Sequence, residues 1–478
     1  MPDQRFLVPK CYVFLKFSSA QAYRFRLFQF ALFMFFTISI IRVLVDRGRL
    51  IFLTAYLIPH SIYDCSFPAL RTARECNINN LMVYALKDQL TEFSYTASTA
   101  GLFYSLKPTK FGFQLCAEGF SEKMGLLISS IVEAVYKCDF TADLIKTVLE
   151  VHRKALQSCA AEPLRNQSKY LLNALLSATV WTREQRLAAM DKINRQEVVN
   201  FGRNFLDRHS VECLFYGSIS KDQSQAITDK LVELKAEYLT VRADTLGVKV
   251  ETNPNLEEWF SNDPVQRIVN LQSVILDKEG EEEDGAVDQE LLLPLGTNSV
   301  MVHNEQHTMS MLVMFLQLDN TNLEKFCLLE VFTHLIRGRI IAKLKHIVIL
   351  GYVIGCDVRK MNNNTGLRIY VESQFPPSTV NQAIEECLQE VETFLRTLNH
   401  ADFKIHINAL KAAKMESHMK MGDYANMLWR EVMDGTYDYR RHHRECEHLN
   451  FLTISKVGRG ERGERFVRPH LVIIVLSR

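Results

Sequence analysis

Residues 350–398 place the tightest constraint on what this chain can fold into. Tyr352–Val358 and Leu367–Val371 are β-prone, and between them lies Asn362-Asn363-Asn364-Thr365-Gly366. Those five residues tolerate positive φ, so the pattern predicts a β-hairpin. Pro376-Pro377 ends the second strand, because proline donates nothing to a ladder. Ser378 or Thr379 is placed to cap the helix that follows. Its apolar positions are Val380, Ile384, Cys387, Leu388, Val391, Phe394, Leu395 and Leu398. That spacing follows the 3.6 period and turns one apolar stripe toward a sheet.

The pattern occurs twice. Gly101-Leu102-Phe103-Tyr104 opens a strand and Phe111–Ala117 returns. Gly119-Phe120 turns, and Ser121 caps a helix with Met124, Leu127, Ile128, Ile131, Val132 and Val135 on one side. Aligning Gly101 with Gly351 gives an offset of 351 − 101 = 250, and Trp181 and Trp429 differ by 248. Both halves run helix, hairpin, helix, helix, tryptophan-bearing helix, late strand. The expected fold is therefore α+β, two similar domains, each an antiparallel-rich sheet packed by helices. The expected layout is a divergent segment 1–60, a domain 61–238, a linker 239–263 and a domain 264–478.

A chain of 478 residues is long enough for such cores. Its net charge of +1 gives no reason to expect a nucleic-acid partner. The eleven cysteines are odd in number, scattered, and contain no C-x-x-C pair. That usage suits reduced thiols in a cytoplasmic setting better than a disulfide framework or a zinc ribbon.

The first sixty residues are less regular. Tyr12–Phe17 is strand-like, and Leu27–Ile41 is an apolar, uncharged run. The run falls short of the ~20 residues a membrane-spanning helix needs. Leu50–Ile58 is apolar again. A short signal anchor, a buried pair of helices and sequence foreign to the fold are the three readings. Membrane association through 27–41 is the less favoured alternative to a cytoplasmic protein.

A zinc peptidase needs two histidines on adjacent helical turns and a carboxylate to handle the water proton. Neither H-x-x-E-H nor H-E-x-x-H occurs. Arg444-Glu445-Cys446-Glu447-His448 comes nearest, with arginine in the first histidine's place and His442 and His443 just before it. These imidazoles do not share a helical face, so the expected reading is a solvated polar helix. His209 and Glu212 lie on an expected strand, where residues three apart point to opposite faces. His303 and His307 flank a turn and are expected to be ordinary polar residues. Neither G-x-S-x-G nor G-x-x-x-x-G-K is present.

The ordered motifs resemble the C-terminal half of the insulinase-type zinc metalloproteases, of which insulin-degrading enzyme and nardilysin are forms. Leu350-Gly351-Tyr352, Gly366-Leu367-Arg368, Ser373 and Pro376-Pro377 carry the likeness in the second repeat. Trp429, Glu431-Val432, Tyr437, Arg441, Glu445, Leu449 and Leu452-Thr453 continue it. Tyr95, Ala100-Gly101-Leu102, Tyr104, Glu162-Pro163, Tyr170, Trp181-Thr182 and Tyr216-Gly217 carry it in the first, and Phe6–Lys10 resembles the strand that opens that half. Ser19–His60 has no counterpart in the family pattern, and after Thr453 the family's last helix is missing.

The resemblance implies third- and fourth-type domains of a fold whose two halves close around a chamber. It assigns zinc, its histidines and the catalytic glutamate to the N-terminal half. Hence no cofactor is expected in this chain, and zinc belongs on a missing N-terminal half or a partner bearing H-x-x-E-H. The family's fourth domain lends a tyrosine and an arginine to the catalytic centre. Their positions here are Tyr352 and Lys345, the two expected substrate-binding residues. Lysine keeps the charge but loses the planar bidentate fork. The expected function is a peptide-binding, substrate-enclosing half of a metalloendopeptidase, a pseudo-peptidase inactive alone. Its expected partners are peptide substrates, with an H-x-x-E-H chain or a second copy beside it. The alternative is an interaction protein without peptidase function.

Overall fold

The computed structural model describes residues 44–45, 50–59, 72–109, 112–177, 180–246, 298–304, 306–318, 322–347, 353–361, 364–415, 421–433, 436–454 and 471–476. They fall into two units. One is drawn from Met1–Lys154, Trp181–Val287 and Lys420–Trp429, the other from Ala155–Val180, Asp288–Met419 and Arg430–Arg478.

The first unit holds a five-stranded sheet. Its strands are β1 (Leu44–Val45), β2 (Leu50–Pro59), β3 (Leu102–Thr109), β4 (Gly112–Phe120) and β5 (His209–Gly217), in the order β1-β5-β2-β4-β3. Only the β1–β5 pair is parallel. Its helices are α1 (Ala73–Gln89), α2 (Thr91–Thr99), α3 (Met124–Lys137), most of α4 (Ala142–Gln157), α6 (Arg183–Ala188), α7 (Arg195–Arg208) and α8 (Lys221–Thr245). The core joins Leu81, Met82 and Leu86 of α1 to Phe113, Leu115 and Ala117 of β4, Phe205 of α7 and Phe215 of β5. All six stripe residues expected on α3 are buried. Burying each such side chain stabilises the fold by roughly 1.5–3 kcal/mol.

Two expectations change here. Leu50–Pro59 is the central strand of the sheet, paired with β4 on one side and β5 on the other. A strand covered by partners on both edges is continuously apolar when both faces are also buried, and periodicity alone does not separate it from a buried helix. Helix α8 also runs on to Thr245, into the stretch 239–263 expected as linker, because Leu239 and Ala243 still reach the core. The runs Phe6–Lys10, Tyr12–Phe17 and Leu27–Ile41 lie outside the described residues.

The second unit repeats the plan. Strands β6 (Asn298–His303), β7 (Ser310–Leu318), β8 (Val353–Met361), β9 (Asn364–Ser373) and β10 (Leu471–Leu476) are ordered β6-β10-β7-β9-β8, and only β6–β10 is parallel. Renumbered from its own first strand, this is the order of the first sheet. Identity of strand order, and not a count of shared residues, establishes the duplication. Helices α9 (Leu323–Ile347), α10 (Pro377–Thr397) and α11 (His400–Met415) lie against one face. Helix α12 (Met421–Met433) and helix α13 (Arg441–His448) complete the chain's helices between α11 and β10 among the described residues.

Strand β7 is buried along its length from Met311 to Leu318. Leu312, Met314, Leu316 and Leu318 point into the core beneath α9 and α10. Met311, Val313 and Phe315 point the other way, into a second cluster with Tyr370, Ile473 and Leu164, Leu172 and Leu176. The last three sit on α5 (Leu164–Leu176), a helix that comes from the first sequence repeat. The first unit likewise takes in Lys420–Trp429 from the second repeat, where the Tyr424 ring lies 5.3 Å from that of Tyr216.

The predicted hairpin is present as β8 and β9. The cap expected from Ser378 or Thr379 is not. Pro376 is the N-cap, with no side-chain hydrogen bond, and Pro377 stands at the first helical position, where a missing N–H costs nothing. Thr182 and Asn194 cap α6 and α7, accepting from the N–H groups of Gln185 and Glu197. Helix α9 runs unbroken through Gly338, where a Cβ would meet no neighbour within 4 Å.

Candidate peptide-binding site

Strand β8 forms one edge of the second sheet. It pairs with β9 only, so the other side of its backbone has no strand partner among the described residues. Such an edge is a template for an extended chain. Lys345 is exposed in the last turn of α9, just before β8. Tyr352 and the residues joining it to α9 lie outside the described residues.

The edge is held in register by side chains on the face away from the α9–α10 core. Asp357 lies opposite Arg368 and accepts a fork from it, Nε to Oδ1 at 2.9 Å and Nη2 to Oδ2 at 2.6 Å. Paired hydrogen bonds of this kind add geometric specificity to the cross-strand attraction. Gly355 lies opposite Tyr370, and a Cβ at 355 would stand 2.1 Å from the ring. The tyrosine thus covers the glycine's missing side chain, which pins the pairing. Arg359 donates to Asn173 of α5 and lies over the Phe315 ring, 5.7 Å from its centroid.

On the opposite side of the same unit, α13 is not a solvated surface. Glu445 is 2 % exposed. Its Oε2 accepts from Lys414 Nζ at 2.7 Å, and the same ammonium donates to Glu330 at 2.8 Å. His442 Nδ1 stands 3.6 Å from that Glu445 oxygen. Burial pushes the Glu445 carboxyl up, but the neighbouring His442 imidazole and the hydrogen-bonded charge of Lys414 outweigh it and hold it below the usual range. Burial dominates at Glu330, whose carboxyl is pushed up despite Lys414. One ammonium between two carboxylates locks α11 to α9 and α13. The sequence did carry a signal: Glu445, Leu449 and Leu452 are all buried and recur at i, i+4 and i+7.

His209, His152 and His307 make structural contacts. His209 is buried. Its Nδ1 donates to the Leu206 carbonyl at 2.6 Å, and Nε2 accepts from the Tyr136 hydroxyl at 3.1 Å. His152 sits between Asn77 and Arg186, and burial, aided by the Arg186 charge, lowers its pKa to about 4. His307 Nε2 lies 2.9 Å from the Glu162 carbonyl, and His303 is exposed on β6. Among the described residues no three His, Cys, Asp or Glu side chains are grouped to hold a metal ion. None of their helices is long and apolar enough to cross a membrane.

Two stretches match known domain families. Residues 61–189 match the middle or third domain of peptidase M16, and residues 331–429 match the C-terminal lobe domain 4 of PQQ synthase PqqF-like proteins. Insulin-degrading enzyme of Homo sapiens is 25% identical over 378 residues, 79% of this chain and 34% of that protein. A nardilysin-like protein of Arabidopsis thaliana is 22% identical over 388 residues, 80% of this chain and 34% of that one. The structure also superimposes on crystalline pitrilysin with a TM-score of 0.70 at 13% identity, covering 91% of this chain and 42% of that one. In sequence these stretches are similar to insulinase-type proteins, and in fold the chain is similar to pitrilysin. Within that class, the chain is similar to the third and fourth domains of insulin-degrading enzyme and nardilysin. It spans about a third of the length of the curated relatives it matches.

Proposed function

We propose that this chain is a substrate-enclosing part of an insulin-degrading-enzyme-like or nardilysin-like zinc metalloendopeptidase, and that it binds peptide without hydrolysing it alone. The observation that carries this reading is a pair of sheets of identical strand order, similar to third and fourth insulinase domains, in a sequence with no H-x-x-E-H. Zinc and the water-activating glutamate belong to another polypeptide segment. An extended peptide pairs along the free edge of β8, with Tyr352 and Lys345 nearest the scissile bond. The setting is cytoplasmic, consistent with the eight free thiols among the described residues.

Purified chain is assayed for bound zinc and for cleavage of a quenched fluorescent peptide, alone and with an H-x-x-E-H-bearing half of the same family. Peptide binding without zinc, and cleavage only in the mixture, is the expected result. Stoichiometric zinc with chelator-sensitive cleavage by the chain alone would overturn it. The lysine at 345 favours a second reading, an interaction protein with no role in hydrolysis, since a single ammonium does not reproduce an arginine fork. Pull-down separates the two: recovery of an H-x-x-E-H chain supports the first, and its absence beside another stable partner supports the second.

A further inference from the structure

Two polar contacts seat α11 on α9 among the described residues. One is the Lys414 ammonium, which reaches Glu330 of α9 and Glu445 of α13. The other is a pair of imidazoles. His334 of α9 and His406 of α11 meet edge to face, with ring centroids 5.5 Å apart and ring planes at 75°. Both rings are half-buried at the margin of the core. Val331 and Leu335 on one helix, and Phe403 and Ile407 on the other, carry that core past them.

The charged groups around the pair are cations or are engaged elsewhere. On α9, Arg337 adds positive charge beside His334, and Glu330, one turn before it, is taken by Lys414. On α11, Asp402 accepts from Asn399, Lys404 is exposed, and Lys411 donates to Asn450. From α10, Glu390 accepts from Lys343, nine residues further along α9. From α13, Glu445 and His442 gather at Lys414, and His448 lies against Phe451. The sheet turns Leu367, Ile369, Val371 and the Cys356 thiol toward α9, and burial pushes that thiol up to about 12, so it stays neutral. Two neutral imidazoles pack edge to face readily, and a single proton is tolerated, since a cation lies favourably against an aromatic face. Two protons set like charges 5.5 Å apart, with Arg337 as a third. Burial and the charges of His406 and Arg337 lower the His334 pKa from its ordinary 6.5. The stability this contact contributes is therefore present in full above pH 6.5 and is lost as pH falls below it.

We propose that the His334–His406 contact is an acid-released latch: protonation of both imidazoles frees α11 from α9 while the rest of the second unit stays folded. The latch is independent of peptide binding and of hydrolysis. It makes one helix of the second unit responsive to mild acid, the range in which histidine alone among ordinary side chains changes charge.

The test is amide hydrogen exchange of the full chain, read by mass spectrometry at about pH 7.5 and about pH 5.5 and corrected for intrinsic exchange rates. Protection of His400–Met415 is expected to fall about tenfold at the lower pH, the size of one pH unit of linkage to one proton. Helix α4, which follows α3 as α11 follows α10, is the internal reference. Its one histidine, His152, has a pKa of about 4 and stays neutral at both pH values, so protection of α4 should not change. In His334→Gln and in His406→Gln the fall over α11 should disappear. The readout is the difference between the two pH values, so a variant with weaker protection at both still reports on the latch. Equal protection of α11 at both pH values in the wild-type chain overturns the inference. So does a fall shared by α4, which would mean global unfolding. A fall that persists in both variants also overturns it and assigns the acid response to the cluster around Lys414.

Discussion

Lys235 Nζ donates to the carbonyl oxygen of His209 across 2.7 Å, inside the core of the first unit. The residue opposite His209 in the sheet is Pro59, which has no N–H to offer. A lysine on α8 thus provides a donor at the strand end where the proline provides none. Burial lowers the Lys235 pKa to about 7, from an ordinary 10.5. Between those values the unfolded chain binds more protons than the folded one, so stability rises with pH. The slope reaches at most about 1.4 kcal/mol per pH unit. Lys235→Met should flatten that rise. Near pH 9 to 10 the variant should also be less stable than wild type by roughly 1–3 kcal/mol, because the His209 carbonyl loses a donor. Thermal melts from pH 6 to 10 check both, and an unchanged slope in the variant would remove Lys235 from the argument.

Among the described residues Lys414 is the cation that bridges Glu330 and Glu445, with His442 beside Glu445. Lys414→Met should destabilise the second unit by about 3–5 kcal/mol, the cost of leaving buried charge unpaired. The triple variant E330Q/K414M/E445Q should recover much of that loss, because no charge is then left behind. Urea denaturation of the three proteins measures the difference. Equal midpoints for the single variant and wild type would mean the cluster is better solvated than its burial implies.

Gly366 lies near the start of β9, opposite Gln317 of β7 on one side and Arg359 of β8 on the other. A Cβ there would stand 2.5 Å from the Leu316 carbonyl oxygen and 2.6 Å from the Phe315 ring. Backbone gives way less readily than the end of a long side chain, so Gly366→Ala should cost about 1–3 kcal/mol. Gly338→Ala on α9 is the contrast, since open space surrounds it. It should raise stability by about 0.4–1 kcal/mol. A pair of melting curves settles the sign of each.

Cutting the chain within 247–297 gives two pieces that do not correspond to the two structural units. The piece 298–478 lacks α5, and the piece 1–246 lacks Lys420–Trp429. Expressed alone, each should melt broadly by circular dichroism. Expressed together, they should regain a cooperative transition. A sharp transition for 298–478 alone would show that its sheet holds without α5.

Much of the architecture was legible because its signals are local. The hairpin announced itself through Asn362–Gly366, and α3 through its six-residue stripe. What was not legible depends on partners remote in sequence. Leu50–Pro59 reads as an undirected apolar run until β4 and β5 are placed on either side. Glu445 looks like surface until Lys414 is brought to it from thirty-one residues away. The bond from Arg165 to the Tyr370 hydroxyl could not be foreseen at all, because Arg165 belongs to the first repeat by sequence and only the exchange of α5 sets it beside Tyr370.

That exchange has a cost during synthesis. Strand β7, Ser-Met-Leu-Val-Met-Phe-Leu-Gln-Leu, carries no charge, no proline and no glycine. Such a segment is an aggregation hazard whenever either face is bare. Because α5 precedes it in the chain, the helix that will shield Met311, Val313 and Phe315 has already emerged from the ribosome when β7 appears. The order of the exchanged elements therefore places the chaperone before its client within a single polypeptide.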